Sequence, residues 1–199
     1  MKLATLALAL GLVSPAFAAN TLSVNFEQTW AYGQLVDDSY AASGVSFTNV
    51  MGLSNGDGLG NLANGDYYTG APSPLGVAFV QLDGAFNTTA YMNVASGVTG
   101  GLSFFYSTPS DAPVAIKAYS GLNGTGTLLG TINLTANSAD YTTWNQAVLS
   151  FSGTALSFDL TGTANVVGLD NISAVPEPTS VALLLAGGAL LAAARRRRG

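Results

Sequence analysis

The chain has 199 residues, and its 11 acidic and 6 basic side chains give a formal net charge of -5, with no cysteine and no histidine. The absence of cysteine excludes disulfides and thiolate metal sites, and the absence of histidine excludes the Ser-His-Asp and Cys-His catalytic arrangements. Residues 19–174 hold one basic residue, Lys117, against ten acids, and this formal charge of -9 excludes nucleic acid as a partner and attracts divalent cations.

The first 18 residues have the pattern of a secretory signal peptide. Lys2 supplies the positive start, an apolar run follows over residues 3–13, and Ala16-Phe17-Ala18 is an A-x-A cleavage site. We therefore predict that signal peptidase cuts between Ala18 and Ala19. The rest of the chain then folds outside the cytoplasm.

Residues 19–174 have the length of one domain and the pattern of an all-β protein. Short runs rich in β-branched and aromatic residues alternate with glycine and asparagine turns, with no helical period between them. They predict an antiparallel β-sandwich, with a jelly roll as the favoured form. A long irregular loop is predicted over residues 52–74. The predicted strands are 22–26, 45–50, 77–82, 90–94, 102–107, 114–119, 128–134, 147–151, 155–160 and 166–172.

The last 25 residues, 175–199, combine three features in a fixed order. Pro176-Glu177-Pro178 is held extended by its prolines, residues 181–194 are apolar, and Arg195 to Arg198 are basic. A helix over residues 179–194 would span roughly 24 Å, slightly less than the hydrocarbon core of a bilayer. The arginines are expected to stay in the cytoplasm. A membrane helix is predicted here, and an ordinary short tail anchor is the alternative interpretation.

This order of features resembles the PEP-CTERM sorting signal of Gram-negative bacteria. Pro176, Glu177 and Pro178 match its Pro-Glu-Pro box, and Arg195, Arg196, Arg197 and Arg198 match its basic end. The resemblance implies that the protein is held in the inner membrane as an intermediate. An exosortase then recognises the box and removes the tail, which leaves the protein at the cell surface or in the medium.

A second resemblance covers the middle of the chain. Asn25-Phe26-Glu27, Gly44-Val45-Ser46-Phe47 and Leu169-Asp170-Asn171-Ile172 are similar to segments of secreted jelly-roll domains related to carbohydrate-binding modules. Because a jelly roll pairs its first and last strands, Glu27 and Asp170 are expected to lie close together. The resemblance implies a structural Ca2+ held by these two residues and by backbone carbonyls near Gly44. The alternative is that both are solvated acids at strand ends.

Aromatic residues in predicted loops indicate a possible sugar site, because exposed rings can stack on the apolar faces of sugars. Core packing and loop pinning are the alternative for each ring. We select Tyr67, Tyr68 and Trp144 as the glycan-binding candidates. The full set comprises Trp30, Tyr32, Tyr40, Tyr67, Tyr68, Tyr141 and Trp144.

These observations favour a non-enzymatic, exported surface or extracellular matrix protein whose β-sandwich binds glycan or matrix polysaccharide. Two alternatives remain at this point. One is a purely structural or adhesive protein without a ligand site. The other is a secreted carbohydrate-active enzyme, whose acid and base would be Glu27 with Asp37 or Asp38.

Overall fold

A computed structural model describes residues 22–31, 33–54, 70–175 and 187–188. The described residues form an all-β domain in which every strand pair is antiparallel, so the predicted fold class is confirmed. Two short 3-10 turns, Ala41–Ser43 and Thr161–Thr163, lie between strands. The strands are β1 (Ser23–Val24), β2 (Val45–Thr48), β3 (Val50–Ser54), β4 (Gly76–Val80), β5 (Tyr91–Ser107), β6 (Ala112–Tyr119), β7 (Leu128–Leu134), β8 (Asn145–Asp159) and β9 (Gly168–Ala174).

Two long strands, β5 and β8, run through both layers of the sandwich. The first half of β5 pairs with β2 and with the second half of β8, whereas its second half pairs with β9 and with the first half of β8. The register of β5 against β8 shifts between Asn93 and Val98 and again between Thr99 and Gly101. Bulges of this kind bend a strand, and Gly97 and Gly100 have φ of 73° and 81° there. The bend carries one hydrogen-bonded sheet from the first layer, which also contains β2, β6 and β7, into the second, which also contains β1, β3, β4 and β9.

This continuity corrects the sequence prediction in two places. Residues 90–94 and 102–107 were predicted as separate strands but belong to β5, and 147–151 and 155–160 both belong to β8. The glycines between them predict turns, yet in the structure they allow bends within one strand. Conversely, the single predicted strand 45–50 is divided by Asn49, whose φ is 56°. β3 then extends to Ser54, into the predicted loop 52–74.

One apolar core lies between the layers. It contains Met92 and Phe158 from the first layer together with Phe104 and Leu169 from the second, and each of these side chains is fully buried. Burial of side chains of this size contributes about 1.5–3 kcal/mol each. The two layers are therefore held together mainly by apolar packing.

Trp30 lies in a loop, as predicted, but it is a core residue rather than an exposed ring. Its side chain is 1% exposed, its Nε1–H donates to the Phe26 carbonyl at 3.2 Å, and its backbone N–H donates to Ser54 Oγ at 2.6 Å. The indole ring lies directly against Gly52 on β3, where a Cβ atom would overlap it. Glycine at position 52 therefore makes room for the tryptophan.

We predict that Gly52→Ala destabilises the domain by about 2–3 kcal/mol, because the added methyl group displaces the buried Trp30 ring. Urea unfolding followed by tryptophan fluorescence measures the loss. Gly33→Ala is the matched control, because Gly33 has φ of 70° but no atom within 4 Å of an added Cβ. The control is expected to lose only about 1–2 kcal/mol, the cost of a left-handed backbone conformation. An equal or smaller loss at Gly52 would contradict the packing argument.

Candidate functional site

The first and last strands meet, as the sequence predicts. β1 pairs with β9 through Ser23 with Ser173 and Val24 with Ile172. The chain leaves β1 towards Glu27, while β9 runs back through Asp170. One short segment contacts both carboxylates, because the Ser73 N–H donates to Asp170 Oδ2 at 2.7 Å and the Leu75 N–H lies 3.4 Å from Glu27 Oε2. The structure therefore brings the two predicted metal ligands to one junction.

Asp170 is a fully buried carboxylate at this junction. Its Oδ2 accepts a hydrogen bond from the Ser73 N–H at 2.7 Å, and its Oδ1 accepts one from the Asn171 N–H at 2.7 Å. Burial raises the pKa of Asp170 to about 6, and the charge of Glu27 acts in the same direction, whereas the hydrogen bonds from Ser73 and Asn171 oppose the rise. Burial thus works against the ionised form of Asp170, and the hydrogen bonds to its oxygens work in favour of it.

The backbone next to each carboxylate is in an uncommon conformation. Phe26, which precedes Glu27, has φ of 53°, and Asn171, which follows Asp170, has φ of 45°. Conformations of this kind cost of order 1–3 kcal/mol for bulky residues, and they persist only where the surrounding structure holds them. Here the buried Phe26 ring packs against Tyr40 and Phe47, each at a centroid distance of 5.8 Å. Core packing thus fixes the position of Glu27.

The oxygen atoms at the junction are of the type that a hard cation such as Ca2+ prefers. Glu27 is partly exposed and its Oε2 lies 3.4 Å from the Leu75 N–H, while the Asn25 carbonyl accepts a hydrogen bond from the Ser73 hydroxyl. The carbonyl of Gly44 accepts the Ala95 N–H instead, so it is engaged with β5. Within the described ranges, no group of three or more His, Cys, Asp or Glu side chains gathers. A cation would therefore depend on two carboxylates and on amide or carbonyl oxygens.

Trp144 lies on the outer face of the second layer and is partly buried. It belongs to a small apolar cluster around Leu53 and Val77, separate from the main core. Its ring rests on Gly168, where an added Cβ would lie 2.9 Å from Cη2, and its Nε1–H donates to the Tyr141 carbonyl at 3.0 Å. Gly70 lies on another side of the ring, since its Cβ position is 3.9 Å from Cδ1. The ring is thus held in one orientation.

The other predicted functional residues lie outside the described residues. These are the cleavage residues Ala18 and Ala19, the glycan candidates Tyr67 and Tyr68, and the sorting residues Pro176, Glu177, Pro178 and Arg195 to Arg198. Of the predicted membrane helix only Gly187 and Gly188 are described, and both are helical and exposed. In the described part of the chain, no helix has the length and apolar character needed to cross a membrane.

A rigid turn over residues 83–87 is a feature that the sequence analysis did not select. Asp83 Oδ1 accepts hydrogen bonds from the backbone N–H groups of Ala85, Phe86 and Asn87 at 2.8–2.9 Å. The Phe86 side chain on this turn is 93% exposed. Beside the turn lies a pocket of about 350 Å³ lined by Gly33, Leu35, Asn49, Met51, Gln81, Leu82, Asp83 and Asn87. The Asp83-Gly84 pair is a turn signal in the sequence, but periodicity does not reveal that Phe86 is exposed.

The architecture defines the chain as an antiparallel β-sandwich protein, and the comparison with known families adds its sorting class. Residues 174–198 match the PEP-CTERM protein-sorting motif. The match identifies the tail as a sorting signal of the kind that exported, membrane-processed proteins of Gram-negative bacteria carry. No curated protein matches the chain.

Solved structures with a similar fold are distant. The chain is similar to the K2 cleaved adhesin domain of Lys-gingipain (Kgp), with a TM-score of 0.48, 16% identity, and coverage of 78% of this chain and 99% of that chain. It is also similar to a glycoside hydrolase family 43 arabinoxylan arabinofuranohydrolase from Bacillus subtilis in complex with cellotetraose. That match has a TM-score of 0.43 and 14% identity, and it covers 66% of this chain and 25% of that chain.

The raised pKa of Asp170 predicts how stability depends on pH in calcium-free buffer. Between the unfolded pKa near 4 and the folded value of about 6, the folded protein binds more protons, so its free energy of unfolding falls as the pH rises. Between pH 4 and pH 7, the free energy of unfolding of the wild-type protein is expected to fall by about 2–3 kcal/mol more than that of Asp170→Asn. Urea unfolding at several pH values measures this difference. Asp38→Asn, at an exposed position, is the control, and the same change in both variants would refute the assignment.

Proposed function

We propose that this is a non-enzymatic, exported surface or extracellular matrix protein whose β-sandwich binds polysaccharide. Signal peptidase is expected to remove residues 1–18, and exosortase to act on the tail from 175 to 199 after the inner-membrane stage. The domain from 19 to 174 is then the functional unit. The observation that carries the binding proposal is the fixed orientation of Trp144 on the outer face of the second layer.

Trp144 has the properties of a sugar-stacking residue. Its ring is only partly buried, and the hydrogen bond to Tyr141 and the contact with Gly168 already restrict its rotation. When a ligand stacks on this ring, the side chain therefore loses little further conformational entropy. Gly70 lies close to the ring, since a Cβ added to it would be 3.9 Å from Cδ1. Tyr67 and Tyr68 precede Gly70 by three and two positions in the chain, and we propose them together with Trp144 as the glycan-binding residues.

The charge of the domain favours a neutral polysaccharide as the ligand. Residues 19–174 have a formal charge of -9, and an anionic polymer would be repelled. A catalytic role is disfavoured for a separate reason. Glu27, which both candidate acid and base pairs with Asp37 or Asp38 require, is better explained as a metal ligand beside Asp170. A purely structural role without a ligand is the alternative, and the binding experiment below distinguishes it.

We further propose that Glu27 and Asp170 hold a structural Ca2+. Asp170 is buried and Glu27 is partly exposed, and the donors found for them among the described residues are the N–H groups of Ser73, Leu75 and Asn171 and the side chain of Ser73, none of which is a cation. A divalent cation would offset the cost of ionising Asp170 in the interior and would supply no catalytic chemistry. It would also fix Ser73 and Leu75, whose N–H groups contact the two carboxylates.

We predict that the protein recovered from its host binds at least one neutral polysaccharide in an affinity-gel panel of glucans, xylans and mannans. Tyr68→Ala and Trp144→Ala should each weaken that binding by about tenfold, equal to about 1.4 kcal/mol of lost stacking. Leu128→Ala is the control, because Leu128 is exposed on β7 and is not part of the Trp144 cluster. Circular dichroism establishes that each variant is folded. Binding that is unchanged in both aromatic variants would reject the proposed site.

Calcium is expected to raise the melting temperature of the metal-free protein. At 100-fold excess over its dissociation constant it would add about 2.7 kcal/mol, which corresponds to roughly 5–10 °C for a domain of this size. Glu27→Gln should abolish the calcium-dependent shift, whereas Asp38→Asn should retain it. Differential scanning calorimetry with EGTA and with added Ca2+ gives both values. The metal proposal fails if the wild-type protein shows no shift.

A further inference from the structure

The outer face of the second layer carries a continuous row of side chains that crosses four neighbouring segments. Phe79 on β4 pairs with Gly168 on β9, Met51 on β3 pairs with Phe79, and Leu35 forms a bridge with Met51. Directly paired residues place their side chains on the same face of an antiparallel sheet. Since Trp144 rests on Gly168, the row begins at the indole ring and ends at Leu35.

This row ends in the pocket beside the turn at residues 83–87. Leu35 and Met51 belong both to the row and to the lining of the pocket. Three strand spacings of about 4.8 Å separate Gly168 from Leu35, so the face extends over roughly 14 Å before the pocket begins. The apolar row is thus longer than a single sugar unit, and it connects two places where aromatic rings occur.

The far end of the row has the mixed polar and aromatic character of a saccharide site. Asn49, Gln81 and Asn87 supply amide groups that can both donate and accept hydrogen bonds, as sugar hydroxyls require. Phe86 lies between the pocket residues Asp83 and Asn87, and its ring is almost completely exposed. A single exposed apolar residue is common on protein surfaces, but this one stands on a turn of fixed shape.

The turn and the pocket are held rigidly from both sides. In addition to the three hydrogen bonds to Asp83, the Gly84 N–H donates to the Asn87 carbonyl at 3.2 Å. Asn165 binds the base of the turn, because its Oδ1 accepts the Leu82 N–H at 3.0 Å and its Nδ2 donates to the Leu82 carbonyl at 2.9 Å. The backbone that carries Phe86 is therefore held in one shape before a ligand binds.

From this arrangement we infer that the outer face binds an extended neutral oligosaccharide, which runs from Trp144 across Phe79 and Met51 to a second aromatic contact at Phe86. This inference rests on the proposed polysaccharide binding and assigns its far subsite. The apolar faces of the sugar rings stack on Trp144 and Phe86, and hydroxyl groups bind the amides of Gln81 and Asn87. A short saccharide occupies only one end, whereas a long one occupies both.

The test varies two things, the length of the oligosaccharide and the residue that is substituted. Isothermal titration of the exported protein with cello-, xylo- and manno-oligosaccharides of two and six units should give tighter binding of a six-unit ligand. Phe86→Ala should weaken six-unit binding by about tenfold and leave two-unit binding at the Trp144 end unchanged. Phe86→Tyr, which keeps the ring, should bind like the wild type. Leu122→Ala, at another exposed apolar residue outside the pocket, should have no effect.

A second readout follows the pocket directly. In NMR titrations the side-chain amide signals of Gln81 and Asn87 should shift with the six-unit ligand and not with the two-unit ligand. If Phe86→Ala leaves six-unit binding unchanged while Trp144→Ala weakens it, the far subsite is refuted and the proposed function stands. If the wild-type protein binds none of these ligands or polysaccharides, both fail. Phe86-dependent binding to phosphatidylcholine vesicles, without saccharide binding, would instead identify Phe86 as a membrane contact and overturn the inference.

Discussion

The pairing of β5 with β8 is the constraint on which both layers depend. These are the two strands that belong to both layers, and their register shifts between Asn93 and Gly101 place the bend at one level of the sheet. Met92 and Phe104 lie on β5 on opposite sides of the bend. Because of the bend, both side chains point into the same apolar core. It also gives β9 a fixed neighbour, because β9 pairs with the second half of β5. This pairing sets the positions of Gly168, Leu169 and Asp170 on β9.

Residues on β9 position both candidate sites, the one at Trp144 and the one at Asp170. Gly168 and Asp170 are two positions apart, so they lie on the same face of the strand. The first supports Trp144, and the second holds the buried carboxylate. The segment from Gly70 to Leu75 connects them, since Gly70 lies against Trp144 while Ser73 donates to Asp170. A slip of one residue in β9 would replace both with core-facing neighbours, and the two sites would be lost together.

Much of the fold could be predicted from the sequence because local patterns decide it. β7 is found over the predicted residues 128–134, and the pairing of the first and last strands follows from a jelly-roll arrangement. The continuity of β5 and β8 could not be predicted, since Gly97 and Gly153 have the same local signature in a bend as in a turn. Exposure of Phe86 and burial of Trp30 were equally inaccessible. Burial of Trp30 depends on Gly52 and Ser54, which are distant in the sequence, and the turn signal at Asp83-Gly84 does not indicate the exposure of Phe86.

Residues 19–174 contain one basic residue, and its contacts decide whether the domain can bind an anionic polymer. Lys117 Nζ lies 2.9 Å from Asp159 Oδ2, and the hydrogen bond to this carboxylate raises the pKa of Lys117. The other basic residues of the chain are Lys2 and the four terminal arginines, all outside residues 19–174. Within residues 19–174, the single basic residue is therefore already paired with a carboxylate and is not free to bind an anionic polymer. The proposed polysaccharide binding would therefore depend on aromatic rings and amides, and the charge of residues 19–174 favours neutral sugars over acidic ones.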